Sequence, residues 1–146
     1  METTQYHNKV RATDLIVNVK VPINVTEIAL EVFQNCPEAS MSLRCIRWCY
    51  GFKDNQLTGT TSLTEKIDPS RFKFVFVDEE ADCKKYTVDI KMAENGVAKV
   101  IEGVLKGTLN VGGLKTMSDL MELGNWDAEV VDAAIQCAIF GEVIYG

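Results

Sequence analysis

The sequence predicts an α+β domain: a mostly antiparallel sheet of three to five strands, packed on one face by helices, with the last helix at its centre. Three observations carry this. Short stretches alternate apolar and polar residues, the period of a half-buried strand, while others repeat apolar residues every three or four positions, the period of an amphipathic helix. At 146 residues, with three scattered prolines, the chain has the length of one domain and no linker to divide it.

The first predicted strand is Asp14 to Val21, with Leu15, Val17, Val19 and Val21 on one face, and Pro22 is expected to end it. From Thr26 to Asn35, Ile28, Ala29, Val32 and Phe33 recur at helical spacing behind the capping candidates Asn24 and Thr26, and Pro37 blocks continuation. Ser40 or Ser42 is expected to cap a second helix through Tyr50, with Leu43, Ile46 and Tyr50 on one face and Gly51 as its stop. The two helices would form a hairpin.

Lys53 to Ser70 is polar and rich in threonine and glycine, and reads as an irregular connection holding one short strand around Thr58 to Leu63. Phe72 to Val77 and Tyr86 to Met92 are predicted strands that pair across the acidic link Asp78 to Lys84. After Asn95-Gly96, residues Val97, Val100, Ile101, Val104 and Leu105 predict a helix ending near Gly107. A short strand over Leu109 to Val111, a helix over Lys115 to Leu123 and a last helix over Asp127 to Phe140 follow, the last capped by Asn125. Its apolar surface is wider than one core-facing stripe. It is therefore either the central helix of the fold or a contact between copies of the chain, which Val143 to Tyr145 would extend.

The net charge of −6 opposes attraction to phosphate, so nucleic acid and anionic membranes are not the expected partners. Met1 to Arg11 lacks the apolar run of a secretory signal and no stretch has the length to span a bilayer, so the cytoplasm is the expected location. There the five cysteines are expected as free thiols. Cys45 and Cys49, one turn apart on the expected helix, lack the further ligands of a zinc site, and the single histidine, His7, sits in a polar segment expected to be a loose end. No metal or other cofactor is expected.

Two constellations stand out. In Val88-Asp89-Ile90-Lys91-Met92, a strand would put Asp89 and Lys91 on one face, where an acid and a lysine hold Mg²⁺ and position a water at phosphate. This stretch resembles the motif strand of the PD-(D/E)xK nuclease superfamily over about Phe72 to Leu105. The resemblance implies catalytic roles for Asp89 and Lys91, with Asp78 as the upstream acid. The chain departs from that pattern in lacking a basic groove, and Asp78 lies among other acids. The second is the basic and aromatic stretch Arg44, Arg47, Trp48 and Phe52 which, with the acidic run Asp78, Glu79 and Glu80, offers hot-spot residue types and steering charge for a protein partner. The leading expectation is a non-enzymatic protein-binding module, a small regulatory or inhibitory factor of viral or mobile-element type. The alternative is a metal-dependent nuclease or phosphoryl-transfer enzyme.

Overall fold

A computed structural model describes residues 4–12, 15–34, 42–50, 53–54 and 69–146. The architecture is α+β. Strands β1 (Thr4–Ala12) and β2 (Leu15–Ile23) form an antiparallel ribbon that leads through Asn24 into helix α1 (Val25–Phe33). Strands β3 (Arg44–Tyr50), β4 (Lys53–Asp54), β5 (Lys73–Asp78) and β6 (Lys84–Asp89) form a second antiparallel sheet in the order β4-β3-β5-β6. Helices α2 (Ile90–Lys106), α3 (Met117–Met121) and α4 (Ala128–Phe140) complete the chain.

The core lies between the second sheet and its helices. Phe72, Phe74 and Phe76 point to that side and are buried, and Phe33 of α1 meets Phe72 and Phe74 edge-on at 5.7 and 5.9 Å. On β6 the same face carries Val88 and Tyr86, opposite Phe74 and Phe76. The expected hairpin across Asp78 to Lys84 is therefore present. Its turn places Asp82 and Cys83 at φ of 54° and 55°, a left-handed pair that lets the strands reverse.

The stretch expected as a second helix is strand β3. The misleading feature is a bulge between Cys45 and Arg47, where one extra residue is absorbed opposite Phe76 and Val75. Inward positions are odd-numbered before it (Leu43, Cys45) and even-numbered after it (Trp48), so the alternation that marks a strand is broken and the apolar spacing imitates a helix. The helical hairpin is accordingly absent. β1 was also unforeseen: Thr4 to Ala12 is too polar to show a strand alone, yet it pairs along its whole length with β2, and His7 lies opposite Lys20 within it. Pro22 does not end β2, which runs to Ile23; each strand of a two-stranded ribbon is an edge strand, where proline is tolerated. The strand expected at Thr58 to Leu63 lies outside the described residues.

Helix α2 starts at Ile90, seven residues before the expected start, because Asp89 leaves the strand and at once caps the helix, its Oδ1 accepting the Met92 N–H at 2.9 Å. Asn95-Gly96, expected as a turn, lies inside it. Gly96 is buried against α4, where a Cβ would overlap the Ala134 carbonyl oxygen and lie 2.9 Å from the Ala138 nitrogen. Glycine here serves close helix packing. Leu109 to Val111 is not a strand; Leu109 covers Gly103 of α2 instead. The Lys115 to Leu123 helix is shorter than expected, held by a reciprocal cap between Thr116 and Asp119. Asp127, not Asn125, caps α4, and Asn125 donates to the Asp119 carbonyl at 3.0 Å.

α4 is the central helix, with every residue from Val130 to Cys137 buried. Substituting Gly96 by alanine pushes α2 away from it, since the obstructing atoms are backbone. Gly96→Ala is expected to cost about 2 kcal/mol, read as a lower urea midpoint at unchanged slope.

Candidate functional site

The residues of the nuclease-like constellation do not converge. Asp78 ends β5 on the helix-covered side and is 1% exposed, its Oδ2 accepting the Tyr145 hydroxyl at 2.6 Å and its Oδ1 the Glu80 N–H at 3.1 Å. Asp89 lies at the other end of the hairpin, paired with Lys73, on the opposite face. Five residues of strand separate Lys73 from Asp78, roughly 16 Å. Lys91 stands in the first turn of α2 and not on a strand, so the same-face geometry that motivated the comparison is lost. Among the described residues, no group of three or more His, Cys, Asp or Glu side chains is placed to hold a metal ion. Cys45 and Cys49 do not share a helical turn. Burial pushes the Cys45 thiol up to about 11, and a backbone hydrogen bond with Arg47 offsets this only in part, so it is no thiolate nucleophile at neutral pH.

The basic and aromatic stretch is divided between the two faces of the sheet. Arg44 and Arg47 take register positions opposite Val77 and Val75, on the face away from the helices, and both are exposed. Trp48 lies opposite Phe74 on the helix side and is half-buried. Phe52 lies outside the described residues. The pairing of β5 with β6 adds exposed Lys73 and Lys85 to the outward face, with exposed Asp89 opposite Lys73, so four cations and one acid lie on it, Val75 being half-buried, Val77 buried and Ile46 exposed between them. The acidic run sits at one end, where Glu79 and Glu80 are exposed on the turn. Arg44 Nε donates to Glu79 Oε1 at 2.9 Å, but both side chains are over 60% exposed and such a pair holds less than about 1 kcal/mol. A binding partner displaces it cheaply.

A third cluster was not foreseen. Gln136 of α4 is fully buried, and its Oε1 accepts the backbone N–H groups of Ile144 and Tyr145 at 2.9 and 2.8 Å. Its Nε2 donates to Asp132 Oδ2 at 2.8 Å and to the Tyr145 carbonyl at 3.2 Å. Asp132 in turn accepts the backbone N–H and the hydroxyl of Ser42, each at 3.0 Å, just before β3 begins. The sequence signal was present: Asp132 and Gln136 are four apart on an otherwise apolar helix, where side chains stack on one face. Residues 141–146 thus form a strap laid over α4. It is tied by main-chain contacts to Gln136 and by the Tyr145 hydroxyl to Asp78.

The chain matches no known family model, and no curated protein or solved structure matches it.

The hydrogen bond to Asp78 pushes the Tyr145 hydroxyl up to about 12 from its ordinary 10, with burial and the charges of Asp78 and Glu80 acting the same way. A raised folded value means that the contribution of the Tyr145 hydroxyl is complete below about pH 10 and is lost as pH rises towards 12. Tyrosinate absorbance is expected to show one late-titrating residue that disappears in Tyr145→Phe. Asp89→Ala is expected to cost about 1 kcal/mol through loss of the α2 cap. That loss should be the same with and without millimolar Mg²⁺ in thermal unfolding; a Mg²⁺-dependent stabilisation confined to the unaltered chain would restore a metal role for Asp89.

Proposed function

We propose that this protein is a non-enzymatic binding module, a small regulatory or inhibitory factor, that takes an acidic protein partner on the outward face of β3, β5 and β6. The observation that carries this reading is the row of four exposed cations, Arg44, Arg47, Lys73 and Lys85, on one sheet face of a chain whose net charge is −6. In an otherwise acidic molecule such a face concentrates positive potential, which steers an oppositely charged surface and fixes its orientation. Val75 and Ile46 among the cations supply apolar contact of the kind found at an interface core. The acidic turn at the end of the face, Glu79 and Glu80, sets one boundary and repels a partner docked in the wrong direction.

Two features favour a protein over a nucleic acid. The aromatic residue of the stretch, Trp48, is turned to the helix side, so it offers no stacking platform on this face. The acidic turn also interrupts the continuous positive track that a phosphate backbone follows.

The test is fluorescence anisotropy with two labelled probes of equal charge, an Asp/Glu-rich peptide and a single-stranded RNA, against the unaltered chain and the Arg47→Glu/Lys73→Glu variant. The peptide is expected to bind the unaltered chain, more weakly at higher salt, and to lose about tenfold or more in affinity with the variant. Tighter binding of the RNA would overturn the protein-partner reading. Failure of both probes, or binding indifferent to the double variant, would overturn the face itself.

A further inference from the structure

The strap over α4 is held as a receptor holds a peptide. Gln136 uses its carboxamide oxygen for two successive backbone N–H groups and its nitrogen for the carbonyl of the second residue, so it reads main chain and not side chain. Consistent with this, the Ile144 side chain between those contacts is 46% exposed. The next position is read closely. The Tyr145 ring meets Phe140 edge-on at 6.2 Å, Phe140 meets Tyr86 edge-on at 5.4 Å, and the hydroxyl donates to buried Asp78 at 2.6 Å. A slot with an aromatic wall and a carboxylate at its base selects tyrosine. Phenylalanine would leave one oxygen of a buried acid short of a partner. Tyr145 is joined to the helix through Gly141, at φ of 80°, and the exposed Glu142.

We infer that the slot bounded by Asp78, Tyr86, Gln136 and Phe140 is a binding site for an extended peptide segment bearing tyrosine, and that residues 143–145 occupy it in cis. The segment it accepts needs two successive backbone N–H groups, a residue other than proline before the tyrosine, and the tyrosine hydroxyl. Proline at either of the two read positions is excluded because it has no N–H to give. An incoming segment competes with the strap, so its apparent affinity is reduced by the fraction of time the slot is open. This site lies on the helix side of the sheet and is independent of the cationic face.

The probe is a fluorescein-labelled peptide with the sequence of residues 142–146, titrated into the full chain and into its Tyr145→Ala variant, whose own strap has lost its anchor. The variant is expected to bind the peptide at least about tenfold more tightly than the unaltered chain. A peptide with alanine in place of tyrosine should not bind, and one with phenylalanine should bind more weakly. A folded Tyr145→Ala that leaves the peptide's anisotropy unchanged overturns the proposal, as does binding indifferent to the peptide's tyrosine. Should Tyr145→Ala fail to fold, Tyr145→Phe, which removes only the bond to Asp78, is titrated instead. It is expected to show a smaller gain, and no gain overturns the site.

Discussion

Everything on the helix side of this molecule depends on the burial of one neutral carboxamide. Gln136 has no access to water, so each of its donors and acceptors must be satisfied within the protein or cost about 1–3 kcal/mol. Its partners come from three places: Asp132 on its own helix, the backbone of Ile144 and Tyr145 just beyond that helix, and, through Asp132, Ser42 at the start of β3, far away in the chain. A hydrophobic residue at this position would pack α4 with less demand for precision. The carboxamide instead admits one placement of the strap and one placement of the β3 start. A similar cross-tie, Thr26 Oγ1 to Glu94 Oε1 at 3.1 Å, joins α1 to α2. Hydrogen bonds thus set the alignment of elements that apolar packing only brings together.

The two faces of the second sheet obey opposite rules. One is closed by phenylalanines and helices and leaves polar groups only where they are paired. The other carries exposed charge, with Val75 half-buried and Val77 buried between its cations. Among the described residues β6 is an edge strand, and the lysines at its start, Lys84 and Lys85, have a further effect: they discourage addition of another strand there.

Much of the fold was legible in local sequence. α1, the β5-β6 hairpin and α4 each repeat their own period cleanly, and the burial of α4 on several sides followed from its excess of apolar residues. The misses have two causes. Gly96 looks like a turn until Ala134 is seen against it, and β1 shows no pattern without its partner, so there the deciding contact lies outside the segment. Asp89 and β3 were misread locally, one because its carboxylate caps α2 three residues on, the other because a bulge breaks its alternation. At the candidate sites, the exposure of Arg44, Arg47, Glu79 and Glu80 was readable from residue type. The placement of Trp48 and Asp78 on the covered side was not, because each depends on sheet register. Lys73 and Lys85 joined the cationic face only through the pairing of β5 with its neighbours.

The bulge in β3 gives the outward face an unusual genetic dependence. In a regular strand, residues three apart point to opposite sides, yet Arg44 and Arg47 share a side because one additional residue lies between them. Chain length at Ile46, more than the identity of any side chain, therefore encodes which charges are presented together. Loss of a single codon there would leave both arginines in the sequence while sending one towards the phenylalanines and Trp48 towards water. Relatives that have gained or lost one residue at this point would be expected to display a different surface on the same scaffold, even where every neighbouring residue is retained.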